Sequence, residues 1–357
     1  MRRIRVLIVD DVATVRRLVG LALSSDPELE VVGSAANGRI ALQMIPEAQP
    51  DVLLLDIEMP VMGGLETLVI VRRSYPGLPV IVFTSDAGAE SEVVLDALWL
   101  GAYDYVIKKS ASDAEAAIDH IRAELTPRIK AACAEILSGP GDLHGPGEPS
   151  PAPRVRGCAV EVVAIGASTG GPDALVTVLG GLPGDFPVPI VVAQHMPPTF
   201  TQFLAGRLAA RSSLAVAEAT DGDVLAPGQV WIARGDWHMT LARAGRALKV
   251  RLDQGPPINS CRPSVDSLFL SAAEICGPRV LAVVLTGMGQ DGLRGAERIR
   301  AQHGQVLVQD ESTSVVWGMP GSIARAGLAD AVLPIDQLAT EVLRRVSPGK
   351  GCRAAAA

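Results

Sequence analysis

A chain of 357 residues with a net charge of −7 is long enough for two domains and too acidic for a dedicated nucleic-acid binder, which carries a basic balance. Apolar residues make up 48% of it but aromatics only 3%, so its cores must be built from Val, Leu, Ile and Ala, as in buried parallel sheets. The five cysteines (Cys133, Cys158, Cys261, Cys276, Cys352) are odd in number and form no CxxC pair, which excludes a disulfide framework or a standard zinc site and suits a reducing compartment.

The chain opens basic and then apolar, but the apolar run breaks off at Asp10-Asp11, too short for a signal segment. No stretch approaches the length needed to span a membrane, so a cytoplasmic protein without membrane insertion is expected. Short apolar runs then alternate with amphipathic ones. Arg5–Val9, Glu30–Ala35, Val52–Leu55, Val80–Phe83 and Tyr103–Ile107 read as strands, with helical patterns between them and after the last. That alternation predicts an α/β fold: an open (βα)5 parallel sheet, flavodoxin-like, with helices on both faces. Such sheets bind ligands at the carboxyl ends of their strands. Polar residues recur there: Asp10 and Asp11 after the first strand, Asp56 after the third, Thr84 after the fourth and Lys108 after the fifth. Asp10-Asp11 alone could be a strand-end turn. Three carboxylates converging in one crevice instead suit a hard cation such as Mg²⁺, with Lys108 and Thr84 holding an anion at the rim, and transfer of a phosphoryl group onto a carboxylate.

With IVDD (8–11), DIEMPVMGG (56–64), Thr84, Tyr105 and Lys108, this half resembles a response-regulator receiver domain. The resemblance implies that Asp56 accepts phosphate from a histidine kinase of the CheA type. It implies Mg²⁺ held by Asp10, Asp11, Asp56 and the backbone carbonyl of Glu58, Thr84 and Tyr105 as the switch pair, and Lys108 on the phosphate. Two positions depart from the family pattern. Gly63 stands where the family has Asp, and Lys109 where it has Pro, which bears on how Lys108 is seated.

A helical pattern from Asp113 to Ile136 leads into LSGPGDLHGPGEPSPAP (137–153), rich in Pro and Gly and unable to supply a core. The expected division is a receiver over 1–125, a linker over 126–156 with an inert His144, a catalytic domain over 157–346 and a disordered tail over 347–357.

The second half is organised around VEVVAIGASTGGPD (160–173), in which a buried strand ends at a Gly-rich turn and Pro172-Asp173 open a helix. Ser168 therefore sits between a strand end and a helix start. The Gly166-x-Ser168-x-Gly170 pattern fits a nucleophile turn, and on this stretch alone it equally fits a phosphate cradle. A serine nucleophile needs a base and an orienting acid. His195 follows the apolar strand Val188–Ala193 and would emerge beside Ser168 if the two strands are parallel neighbours. His238 follows Val230–Ala233 as a loop residue near the site, and His303 lies in a surface turn. The acid is sought at another strand end. Val280–Leu285 leads into Thr286-Gly287-Met288-Gly289-Gln290-Asp291-Gly292, where Asp291 can orient the imidazole and the Met288 N–H can join that of Thr169 in an oxyanion hole. Asp291-Gly292 also fits a plain turn before a helix. The chain order Ser, His, Asp matches neither the α/β-hydrolases nor the trypsin or subtilisin orders, and triads are recognised by geometry rather than order.

IGASTGGP (165–172), VVAQHMPPTFT (191–201), the Ala233 to His238 turn, CRPSVDSLFLSAA (261–273), LTGMGQDG (285–292) and WGMPGSIARAG (317–327) together resemble the protein-glutamate methylesterase domain of the CheB family. The resemblance implies a doubly wound, mostly parallel α/β domain with Ser168 as nucleophile, His195 as base, Asp291 as its partner, and Thr169 and Met288 around the site. It implies hydrolysis of γ-glutamyl methyl esters on methyl-accepting chemoreceptors, releasing methanol, and deamidation of receptor glutamines, with no cofactor for the esterase and a monomeric protein. It also gives Arg262 to Asp266 and Trp317 to Pro320 a part in shaping the substrate approach, although Ser264 and Asp266 read more simply as a helix N-cap and first-turn acid. Three rivals stand beside this reading. A receiver with a DNA-binding output is opposed by the acidic charge and the lack of a basic helix-turn-helix. A dinucleotide-binding half lacks an acid at the end of the next strand. An esterase for another ester is not separable by sequence.

Overall fold

The computed structural model describes residues 2–85, 90–108, 113–133 and 159–346, and these fall into two compact units, Met1–Pro146 and Gly147–Ala357. Lys109, His144, Cys158, Cys352, the stretch 137–153 and the tail 347–357 lie outside the described residues.

In the first unit all five expected strands form: β1 (Ile4–Val9), β2 (Leu29–Ala35), β3 (Val52–Leu55), β4 (Val80–Ser85) and β5 (Asp104–Lys108). They pair in parallel in the order β2-β1-β3-β4-β5. Every residue of β3 is buried, as a strand covered on both faces must be. The strand order reverses between β1 and β3, so the crevice at their carboxyl ends is the topological switch point, and Asp10 and Asp56 stand on its two sides. The last helix runs over Ala114–Ala132, with Asp113 accepting a cap hydrogen bond from the Ala116 N–H. Its buried stripe Ile121, Leu125, Ile129 continues to Cys133 against Leu18, Val19 and Val106. A division at 125/126 therefore cuts a helix whose apolar face still belongs to the first core.

The second unit carries a wholly parallel sheet of seven strands, ordered β14-β13-β12-β6-β7-β9-β8. The strands are β6 (Val162–Ala167), β7 (Ile190–Gln194), β8 (Ala215–Glu218), β9 (Gln229–Ile232), β12 (Val280–Val284), β13 (Gln305–Gln309) and β14 (Ala331–Leu333). An antiparallel hairpin of β10 (His238–Ala244) and β11 (Ala247–Asp253) packs beside it. β6, β7 and β12 are buried at every residue, and Leu268, Phe269, Ala272 and Ala273 of the helix Val265–Cys276 cover one face. From β6 the chain winds outward through β7, then returns to add β12 on the other side of β6. The ends of β12, β6 and β7 thus lie side by side, with register pairs Val284↔Gly166 and Ala167↔Gln194.

Two glycines fix the turn after β6. Gly170 has φ 76°, which a side chain disfavours, and caps the helix Gly171–Gly180. Gly166 lies under Val265: a Cβ there would stand 2.4 Å from Val265 Cγ1. Gly166→Ala is expected to destabilise this unit by about 1–3 kcal/mol through overpacking, read as a lower Tm. An unchanged Tm would show that Val265 yields freely.

Candidate active site

Ser168 is placed by its backbone. Its N–H donates to the Thr286 carbonyl (3.1 Å), and its own carbonyl accepts from the Gly171 N–H (2.7 Å) and from Gln194 Nε2 (2.9 Å). The three partners come from the end of β12, the opening helix and the end of β7, so the serine is fixed where three elements meet. Gly287 presses on it, since a Cβ at 287 would lie 2.8 Å from Ser168 Cβ. Thr286 Oγ1 donates to the Thr169 carbonyl at 2.9 Å, tying the two loops together. Gly287 is itself held by the Val316 to Met319 segment: its N–H donates to the Val316 carbonyl and its own carbonyl accepts from the Met319 N–H at 2.8 Å. Trp317 is pinned through Nε1 to the Gln309 carbonyl at 2.9 Å. The segment 317–320 thus buttresses the Gly287-Met288 turn.

His195 follows β7, and its N–H donates to the Ala167 carbonyl at 3.1 Å, next to Ser168. Its ring joins Asp291 through Nε2, 2.8 Å from Oδ2, and Cys261 through Nδ1, 3.5 Å from Sγ. With the carboxylate accepting at Nε2, the neutral ring carries its proton there and leaves the Nδ1 lone pair for another donor. The structure therefore brings His195 and Asp291 together as expected. It leaves the Ser168 hydroxyl at the adjacent strand end, outside the ring's hydrogen bonds.

Asp291 is 2% exposed and accepts five hydrogen bonds. Oδ2 takes His195 Nε2 and the Val265 N–H (2.6 Å); Oδ1 takes Asn259 Nδ2 (2.8 Å), Ser264 Oγ (2.9 Å) and the Asp266 N–H (3.2 Å). The two backbone donors open the helix Val265–Cys276, whose N-terminal dipole favours an anion. Burial acts to raise the carboxyl, but His195 and these donors outweigh it and hold it down at about 2. Burial likewise opposes a charged imidazole, yet Asp291 and the Cys261 sulfur prevail and lift His195 to about 9.

Asn259, which sequence reasoning left aside, completes this scaffold together with Ser264 and His238. Asn259 donates to both Asp291 and Asp266, whose carboxyl is raised by burial and by Asp291. Asn259 and Ser260 form a tight turn at φ 52° and 63° between Ile258 and Cys261, a conformation Asn tolerates; that preference was the available signal. Ser264 is the N-cap expected of it, accepting from Ser267, and it also donates to Asp291, so its two readings coexist. His238, buried at the start of β10, accepts the Ser264 N–H at Nδ1 and faces the Pro256 carbonyl through Nε2, which makes it a support rather than a base. Arg262 is committed to Asp236 (2.9 Å from Nε) and the Gly255 carbonyl. His303 is exposed in a turn.

In the first unit, Asp10, Asp11 and Asp56 bring carboxylate oxygens within 4.8 Å of one another. Lys108 Nζ lies 2.8 Å from Asp10 Oδ2 and 2.8 Å from Asp56 Oδ2, beneath the Phe83 ring. Burial raises Asp56, Lys108 opposes it and Asp10 adds to it, leaving the carboxyl at about 6. Hard oxygen donors of this kind fit Mg²⁺, which would relieve the repulsion that Lys108 now offsets. Thr84 is buried near the end of β4, and Tyr105 stands on β5 beside Asp104, where burial and that carboxylate push its phenol up. Glu58 is exposed two residues after Asp56. Among the described residues no helix is long and apolar enough to cross a membrane.

Both units match known families. Residues 163–342 match the CheB methylesterase family and residues 6–119 the response regulator receiver domain. A protein-glutamate methylesterase/protein-glutamine glutaminase of Trichodesmium erythraeum is 47% identical over 351 residues, covering 97% of this chain and 100% of its own length. One of the same name from Nocardioides is 44% identical, covering 97% and 96%. The crystal structure of the Thermotoga maritima CheB methylesterase catalytic domain is similar at a TM-score of 0.51 and 44% identity, over 52% of this chain and 99% of that one. With a receiver domain ahead of a seven-stranded sheet that carries serine, histidine and aspartate at neighbouring strand ends, the chain belongs to the CheB methylesterase family.

Proposed function

We propose that the protein is a phosphorylation-controlled hydrolase that removes methyl groups from glutamate γ-methyl esters of chemoreceptors and deamidates receptor glutamines, acting in the cytoplasm as a monomer. The observation that carries this reading is the His195–Asp291 pair beside Ser168 at the ends of β7, β12 and β6. Ser168 Oγ attacks the ester carbonyl and gives its proton to His195 Nδ1. Asp291 keeps the Nε2 proton in place and stabilises the imidazolium. The Thr169 and Met288 N–H groups receive the oxyanion. Methanol leaves with the proton from Nδ1; water, deprotonated by the same nitrogen, then adds to the acyl-serine, and the proton passes to Ser168 Oγ as glutamate departs. For glutamine the departing group is ammonia.

In the receiver, which we place over 1–125 with its last helix running on to Ala132 ahead of the catalytic domain from 157, a CheA-type histidine kinase supplies phosphate to Asp56. Asp10, Asp11, Asp56 and the Glu58 carbonyl would hold Mg²⁺, whose charge would offset that of the phosphoryl group. Lys108 contacts the phosphoryl oxygens, and Thr84 and Tyr105 register the change. Methanol release from methylated chemoreceptor membranes is expected to rise with a small phosphodonor plus Mg²⁺, and Asp56→Ala should lose only the stimulation. Indifference to the donor would remove the control, and no release from folded protein would remove the substrate.

The raised imidazole sets the pH dependence. Only neutral His195 accepts the serine proton, and its value lies near 9. The kcat/KM without phosphodonor should therefore climb about tenfold per pH unit below that value and level off above it. A plateau already reached at pH 7 would contradict the assignment.

A further inference from the structure

The sulfur of Cys261 has no part in the reaction above, yet it faces the nitrogen on which that reaction depends. Nδ1 and Sγ stand 3.5 Å apart. A tetrahedral zinc ion with Zn–N near 2.1 Å and Zn–S near 2.3 Å sets its ligand atoms about 3.6 Å apart. The ring is already oriented as in metal sites, because its other nitrogen is given to the Asp291 carboxylate 2.8 Å away, and four further donors hold that carboxylate. The His195 side chain keeps 13% of its surface exposed and Cys261 is partly exposed, so neither residue is sealed from solvent.

We propose that Cys261 Sγ and His195 Nδ1 form a two-ligand site for a soft divalent cation such as Zn²⁺, which reversibly inhibits the esterase by occupying the base nitrogen. The metal displaces the thiol proton to solvent, and the thiolate and the Nδ1 lone pair become its protein ligands. Water fills the remaining positions, because both Asp291 oxygens are taken by their donors. The three groups fall within 4.8 Å, as do the receiver's three aspartates, but the donor chemistry separates the two sites: thiolate and imidazole select a soft ion, carboxylates a hard one. The inhibitory consequence rests on the reading of Nδ1 as the base; the site itself does not.

The test uses the full chain in excess Mg²⁺ and reads Co²⁺ by its thiolate-to-metal charge-transfer absorption in the near ultraviolet. The band is expected in the wild type and in Asp56→Ala, lost in Cys261→Ser, lost or weakened in His195→Gln, and displaced by Zn²⁺. In parallel, Zn²⁺ should suppress methanol release, a chelator should restore it, and Cys261→Ser should need at least about tenfold more Zn²⁺ for the same fractional loss. No band, or a band that survives in Cys261→Ser, overturns the site. A Cys261-dependent band with methanol release untouched by Zn²⁺ overturns the inhibition and the base assignment while the site stands.

Discussion

Ser168→Ala is expected to lower kcat/KM for methanol release by roughly 10⁴–10⁶-fold, the range found when the nucleophile of a Ser-His-Asp unit is removed. The loss should fall on kcat, because the hydroxyl acts in the chemical step. Folding should barely notice. The serine is held by its backbone, through Thr286, Gln194 and Gly171, and its Oγ is not among the hydrogen bonds of the His195 ring. A Tm within a degree or two of the wild type is the matching expectation. The variant also tests whether Cys261 can stand in for the missing serine, because its sulfur still faces Nδ1 when the hydroxyl is gone. If residual turnover disappears only in the Ser168→Ala, Cys261→Ser double variant, the thiol supplies it. If Ser168→Ala alone keeps more than about one per cent of the activity with methanol still the product, Ser168 is not the nucleophile.

The parts of this molecule that could be read without coordinates are those where a local rule decides. Val162–Ala167 and Val280–Val284 are β-branched runs that end at glycines, and their carboxyl ends are where an open parallel sheet puts its chemistry. That logic reached Ser168, His195, Asp291, Asp10, Asp56 and Lys108. It did not reach Asn259, Cys261 or the second role of Ser264. Each of these owes its position to a partner 27 to 66 residues away, and a loop has no period from which to infer one. His238 shows the same limit: at the head of β10 it reads as a loop histidine near the site, whereas burial under Pro256 and Ser264 makes it a strut. The end of the first domain is less legible, because the linker signal begins at Leu137 while the stripe that defines the last helix is visible only against its partners Leu18, Val19 and Val106.

Asp291→Asn is expected to cost about 10⁴-fold in kcat, by reversing the tautomer of the base rather than by removing a contact. The carboxylate is an acceptor on both oxygens, with three donors on Oδ1 and two on Oδ2. An amide keeps one acceptor oxygen. The arrangement that orphans fewer donors sets that oxygen toward Asn259, Ser264 and Asp266 and turns the NH₂ toward His195. The ring must then accept at Nε2 and carry its proton on Nδ1, where it blocks the nitrogen that Ser168 needs. The Val265 N–H is left facing the NH₂, and an unsatisfied buried donor costs about 1–3 kcal/mol, so a lower Tm accompanies the loss. Two pH signatures tell this account from simple unfolding. With its anionic partner gone, His195 falls from about 9 toward its ordinary range, and the limb of the residual activity moves to lower pH. The stability that the wild type draws from a carboxyl held at about 2 is present above its ordinary 3.8 and lost as pH falls through 2, and the variant should lack that term. An Asp291→Asn enzyme within tenfold of the wild type, or with an unmoved pH limb, would show that Asp291 is a strut for the helix Val265–Cys276 and that the base is oriented by something else.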